Sequence, residues 1–172
     1  MHRVLVIGQS GSGKSTVSRL LAERLDVPHI ELDALFHGPR WEPRESFVAD
    51  VDAATSADRW VVDGNYSLVR ELLWSRADTL VWLDLPRTTT LRRAVARTAR
   101  RVVTRVELWN GNRERLHTVL RASHPIRHTW RTQPGRRLEN ERRLADPAWS
   151  HLEVVRLRSP QDVRHWLSRL PS

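Results

Sequence analysis

The sequence predicts an α/β fold in which one parallel sheet of five strands is covered by helices on both faces. Three observations carry that expectation. Short apolar runs alternate with segments of helical period along the whole chain, and strands alternating with helices pair in parallel. The first run leads through a glycine-rich loop directly into a helix. Gly8, Asp33, Asp63, Asp84 and Arg158 fall at the carboxyl ends of the five runs, where sheets of this class hold their ligands. At 172 residues the chain is long enough to bury one substantial core, so residues 1–172 are expected to form a single domain.

The elements follow in order. Arg3-Val4-Leu5-Val6-Ile7 is a β-branched run and reads as a buried strand, and Val17, Leu20, Leu21 and Leu25 then recur with helical spacing. His29 to Asp33 is a second short strand, followed by a loop over 34–44 containing Gly38, Pro39 and Pro43. Phe47, Val48, Val51 and Ala54 mark an amphipathic helix. Arg59 to Asp63 is the third strand, stopped at Gly64-Asn65. Leu68 to Trp74 is a short helix, and Thr79 to Asp84 the fourth strand, ended before Pro86. Arg87 to Val106 and Arg131 to Leu144 read as helices, with no clear periodicity over 107–130. Leu152 to Leu157 is the fifth strand, and Pro160 opens a closing helix.

The loop after the first strand carries the chemistry. Gly8-Gln9-Ser10-Gly11-Ser12-Gly13-Lys14-Ser15, extended by Thr16, matches G-x-x-x-x-G-K-[ST] in full. Between a strand and a helix, such a loop wraps phosphates with backbone N–H groups and adds the positive end of the helix. Lys14 is the single lysine among 29 basic residues; every other is arginine. It stands where a compact ammonium has to reach between β- and γ-phosphate oxygens, a task a planar guanidinium does not perform. Ser15 offers its hydroxyl to Mg²⁺.

Composition narrows the classes. With no cysteine, disulfide frameworks and thiolate zinc sites are excluded. The eight histidines show no metal-ligand spacing; His124 and His128 lack a third ligand. No apolar run approaches the ~20 residues of a membrane span, and a strand from residue 3 leaves no room for a signal peptide, so a cytoplasmic protein is expected. The net charge of +9 is uneven: 16 arginines face four acidic residues between Arg87 and Arg143, and the rest of the chain is slightly acidic. That stripe marks an anionic partner, either nucleic acid or a triphosphate.

Ile30-Glu31-Leu32-Asp33-Ala34-Leu35-Phe36, Trp60-Val61-Val62-Asp63-Gly64-Asn65-Tyr66, Glu107-Leu108-Trp109-Asn110-Gly111-Asn112-Arg113-Glu114 and Leu157-Arg158-Ser159-Pro160, with the loop, carry a wider likeness. The chain resembles the adenylate-kinase-like P-loop kinases, and within them the bacterial adenylate-kinase-related, or DNA topology-modulation (FlaR-like), proteins. The resemblance implies a P-loop NTPase three-layer sandwich of strand order 2-3-1-4-5 with an arginine-rich helical lid, here at roughly 100–131. It implies ATP and Mg²⁺, with Asp63 of the Asp63-Gly64 pair supporting the metal's waters. It further implies Arg93 and Arg97 on the phosphates, and Arg158 against the nucleotide base. The acceptor side departs from the family: strand two ends Leu32-Asp33-Ala34 without the usual threonine and arginine, and Asp63-Gly64-Asn65-Tyr66-Ser67 lacks the proline and arginine that follow the Asp-Gly pair there.

Two readings stay open at several positions. Asp33 is either the base that takes a proton from an acceptor hydroxyl or a cap for the next segment. Asp63 and Asp84 compete for the metal-water role, with the Asp-Gly pair favouring Asp63. Arg93, Arg97 and Arg113 are the lid candidates, with Arg131 and Arg137 behind them. Trp60, Trp82 and Trp166 are expected in the core, while Trp41 stands beside Phe36 and His37 where it could stack on a substrate ring. The expected function is ATP-dependent phosphoryl transfer to a small molecule, either a nucleoside monophosphate or related metabolite, or a hydroxyl metabolite with Asp33 as base. An ATP-binding, nucleic-acid-associated regulatory protein is the alternative from another class.

Overall fold

The structure, a computed structural model, describes the backbone of residues 1–112 and 125–170, and the side chains of 1–112 and 135–170. Five parallel strands form one sheet: β1 (Arg3–Gly8), β2 (His29–Glu31), β3 (Trp60–Asp63), β4 (Thr79–Leu83) and β5 (Glu153–Leu157), in the spatial order β2-β3-β1-β4-β5. The expected order is therefore met. The helices are α1 (Lys14–Leu25), α2 (Leu32–Phe36), α3 (Phe47–Ala54), α4 (Arg70–Arg76), α5 (Arg87–Thr104), α6 (Pro125–Leu144) and α7 (Pro160–Ser168).

The period of two along β1 divides the core. Leu5 and Ile7 join Trp60, Val62, Leu80 and Trp82 on one face, packed against Phe47, Val51, Leu73 and Trp74. Val4 and Val6 join Val61, Val81 and Leu83 on the other, under Val17 and Leu21 of α1. Both faces being covered explains why the strands read as continuous apolar runs. Trp60 and Trp82 are buried, as expected, and Trp166 is partly buried against the α1 face.

Several boundaries differ from the sequence reading. β2 stops at Glu31, and Asp33 lies in the first turn of α2 instead of closing the strand. Leu32, wholly buried, turns the chain inward there, and an acidic side chain suits a helix start. The stretch 34–44, expected to be a loop, holds the rest of α2 and a 3-10 turn at Pro39–Trp41, closed by a bridge between His37 and Pro43. α5 ends at Thr104 because Arg105 takes the left-handed conformation, φ 49°. α6 starts at Pro125, earlier than the expected Arg131.

Candidate functional site

The phosphate loop is pressed against α5. A Cβ on Gly11, φ 83°, would lie 2.2 Å from the carbonyl oxygen of Thr90, and one on Gly8 would lie 2.7 Å from Ser12 Oγ. Only glycine permits these approaches. The contact sets two arginines on the loop, because Arg93 and Arg97 are one turn apart on α5 and share a face. Arg93 Nη1 donates to the Ser12 carbonyl at 3.4 Å, and Arg97 Nη2 donates to Ser10 Oγ at 2.8 Å.

Gly13, φ 97°, caps α1 and releases Lys14 at its first residue. Lys14 Nζ donates to the Gln9 carbonyl at 3.3 Å. Burial holds its pKa below the ordinary lysine value, while the charges of Asp63 and Asp33 pull the other way. Ser15 and Thr16 are exposed on the first turn of α1. Ser12 is buried, and its N–H is used on the Gln9 carbonyl at 3.0 Å.

Across from the loop, Tyr66 Oη donates to Asp33 Oδ1 at 2.6 Å. Burial first, then the Asp33 charge, raise the tyrosine pKa far above its usual value, so the hydroxyl remains a donor. Gly64 makes this pairing possible: at φ 148°, a Cβ there would sit 2.6 Å from Leu32 Cδ1. The Asp-Gly pair thus lets the β3 turn close on α2 and brings Tyr66 to Asp33. Tyr66 itself packs on Phe36 and Phe47, with ring centroids 4.6 and 5.2 Å away.

Asp63 ends β3 beside β1, with only 3% of its surface exposed. Asp84 also follows a neighbour of β1, but its carboxylate is taken up by cations. Arg156 donates to Asp84 Oδ2 from Nε at 2.9 Å and from Nη2 at 2.6 Å, and Arg137 Nη2 lies 3.2 Å away. Asp84 therefore ties β5 and α6 to the end of β4. Arg137, weighed above as a lid residue, is held in this network and pairs with Glu141 as well.

Trp41 does meet His37, in an edge-to-face contact at 5.2 Å, and the two enclose Trp109, which stacks on His37 at 6.1 Å. The segment around Trp109 is fastened to this loop: Asn112 Nδ2 donates to the Gly38 carbonyl at 2.8 Å, and the Trp41 N–H donates to Asn112 Oδ1 at 2.9 Å. Asn110 Nδ2 also donates to the His37 carbonyl. Trp109 Nε1 donates to Glu31 Oε2 at 2.9 Å. Burial lowers the His37 pKa, against the opposing pull of Asp33, so the ring is neutral near neutral pH.

Of the remaining candidates, Arg158 is exposed just past β5, and its N–H donates to Asp162 Oδ2 at 2.9 Å. Arg113 and the side chain of Arg131 lie outside the described residues, as does part of the expected lid. The sequence reading missed Tyr66 as the partner of Asp33. One available signal is that this is the only tyrosine in the chain and directly follows Asp63-Gly64-Asn65.

No family model matches the chain, and no curated protein does. Solved structures of like fold are found. A gluconokinase from Sinorhizobium meliloti 1021 is 19% identical, over 98% of this chain and 92% of that one, with a TM-score of 0.50. A shikimate kinase from Acinetobacter baumannii, in complex with shikimate, is 16% identical over 98% and 90%, with a TM-score of 0.51. A shikimate kinase from Bacteroides thetaiotaomicron is 16% identical over 98% and 95%, also at 0.51. At these identities the likeness is one of fold alone.

Proposed function

We propose that the protein is an ATP-dependent phosphotransferase whose acceptor is a hydroxyl group of a small molecule. One observation carries this reading: a lysine-bearing phosphate loop overlaid by two arginines faces a carboxylate, Asp33, oriented by Tyr66. On the donor side, the loop from Gly8 through Ser10, Gly11, Ser12 and Gly13 to Ser15 and Thr16 holds the phosphates of ATP. Lys14 serves as the point charge on the β- and γ-oxygens, and Arg93 and Arg97 meet the charge that spreads over the transferring group. Ser15 and Asp63 offer hard oxygen donors of the kind Mg²⁺ takes, directly and through water. Bound there, the ion would neutralise part of the phosphate charge. Arg158, at the base, and Arg113, which lies outside the described residues, complete the proposed set.

On the acceptor side, Asp33 receives the proton as the hydroxyl oxygen bonds to the γ-phosphorus and the bond to the β–γ bridging oxygen breaks, releasing ADP. The Tyr66 hydroxyl occupies one lone pair of Asp33 Oδ1 and fixes the carboxylate plane, which leaves Oδ2 for the acceptor. A hydroxyl suits these surroundings better than a phosphate. Among the described residues, Arg44 and Arg70 near this side are engaged by Asp50 at 2.8 Å and Glu139 at 2.7 Å, while Asp33 and Asp63 would repel an incoming anion. The resemblance to DNA topology-modulation proteins rests on the sequence blocks quoted above alone, and Arg93 and Arg97 on the loop account for part of the arginine stripe.

The test is ADP release screened over nucleoside monophosphates, nucleosides and small hydroxylated metabolites. A hydroxyl compound should stimulate release, and Lys14→Ala should abolish the stimulation. Stimulation by monophosphates alone would overturn the hydroxyl assignment. DNA binding with a steep salt dependence, indifferent to ATP, would favour the regulatory alternative.

A further inference from the structure

We propose that His29, Glu31 and Asp63 form a site for a first-row divalent transition cation, separate from the magnesium that accompanies ATP. The sheet register builds it. β2 and β3 pair in parallel with His29 opposite Val61 and Glu31 opposite Asp63. The period of two puts His29 and Glu31 on the same face, and the register sets the two carboxylates side by side. Like charges opposed on neighbouring strands destabilise a sheet unless a cation lies between them.

The side chains show where that cation would sit. Asp63 is almost wholly buried, and its Oδ2 has no hydrogen-bond partner; the buried Nε2 of His29 also has none. The two atoms lie 3.6 Å apart, too far for a hydrogen bond. That spacing suits two ligands of one ion, each ~2.1 Å from the metal. One ligand atom from each of the three residues falls within 4.8 Å of the others, so small rotations of the side chains close the set. Lys14, the nearby ammonium, donates to the Gln9 carbonyl, and Asp63 Oδ2 has no hydrogen-bond partner.

Glu31 carries the outer support that ligating carboxylates have. Trp109 Nε1 donates to its Oε2, which fixes the group and leaves Oε1 for a metal. One imidazole nitrogen with two carboxylates suits Mn²⁺, Co²⁺ or Zn²⁺, whereas Mg²⁺ prefers oxygen alone. The site lies where β2 runs into α2, so an ion there would fasten the junction just before Asp33 in the first turn of α2. The second oxygen of Asp63 stays available to the waters of the nucleotide's magnesium. Sequence spacing hides the site because its ligands come from two strands more than 30 residues apart.

The experiment uses chelator-treated full-length protein without nucleotide, so its outcome is independent of the kinase reading. Co²⁺ is titrated in while visible absorption and Tm are followed, with Mg²⁺ in parallel. One Co²⁺ per chain should bind at micromolar concentration with ligand-field bands of a mixed nitrogen–oxygen site and a rise in Tm, while Mg²⁺ at the same concentration gives no rise. His29→Gln should weaken binding more than tenfold. Trp109→Phe should weaken it about tenfold, as loss of an outer-shell partner does; lying outside the strands and keeping an aromatic ring against His37 and Trp41, it gives a second variant whose fold is checked by its metal-free Tm. Absence of one-to-one binding, an equal shift with Mg²⁺, or unchanged Co²⁺ affinity in both folded variants would overturn the proposal.

Discussion

Lys14 illustrates how much one residue's chemistry can reveal. A chain that otherwise uses arginine for every side-chain cation but histidine keeps a lysine at the head of α1, at the end of the phosphate loop. Its depressed pKa follows from burial, and Asp63 and Asp33 supply the opposing charge. Lys14→Ala should lower phosphoryl transfer by ~10²-fold or more with Tm nearly unchanged, and Lys14→Arg should fail similarly despite keeping the charge. Steady-state turnover of the two variants checks this, and near-native turnover of Lys14→Arg would contradict it. Tyr66 is the opposite case. Its hydroxyl reaches Asp33 because Gly64 lets the β3 turn approach Leu32, a long-range approach that the local Asp63-Gly64-Asn65-Tyr66 pattern marks but does not explain.

Among the elements, β1 is the one on which the loop depends, and its start is held by Asp78. Asp78 Oδ2 accepts the N–H groups of His2 and Arg3, each at 2.8 Å, and Thr79 Oγ1 donates to its other oxygen at 2.6 Å. Burial pushes the Asp78 pKa up, but these hydrogen bonds and the N-terminal charge together pull it below the usual value. A carboxylate with a depressed folded-state pKa contributes stability above its unfolded pKa of about 3.9, and loses it as pH falls through the folded value. Asp78→Asn should therefore cost about 1 kcal/mol at pH 7, the scale of a half-exposed charged hydrogen bond. The cost should shrink below about pH 4. Urea midpoints of both proteins across that range test the sign; a difference growing with acidity would contradict it.

The strands were readable because buried parallel strands are apolar throughout, and the sheet order followed from the resemblance the loop invited. α2 was not readable, since its five residues form under the pull of Leu32 on the core and carry little helical periodicity. The site divided in the same way. The loop, Asp63, Arg93 and Arg97 sit at positions fixed by element order. The partners of Asp33, Glu31 and Asp84 come from segments far away in sequence, and only the folded arrangement brings them together.

At the scale of the whole molecule, the segment 107–112 joins the two sides of the cleft. α5 lies on the phosphate loop, and the chain leaving it docks through Trp109, Asn110 and Asn112 on Glu31, His37, Gly38 and Trp41. Part of the proposed lid, expected at roughly 100–131, is therefore already anchored on the acceptor side. Hydrogen exchange should show residues 105–112 gaining protection when an ATP analogue and an acceptor are both added, with β1 and β4 unchanged. Equal protection with and without the ligands would make this segment a fixed wall of the cleft.

The most direct test of the account is a single substitution, Asp33→Asn, followed through turnover, acceptor KM and ATP affinity on one protein preparation. An amide can hold the position but cannot take the acceptor's proton, and a general base is worth ~10²–10⁴ in rate. The account predicts a fall of that size in turnover with ATP affinity unchanged within about twofold. Unchanged turnover, or a loss confined to acceptor affinity, would contradict it.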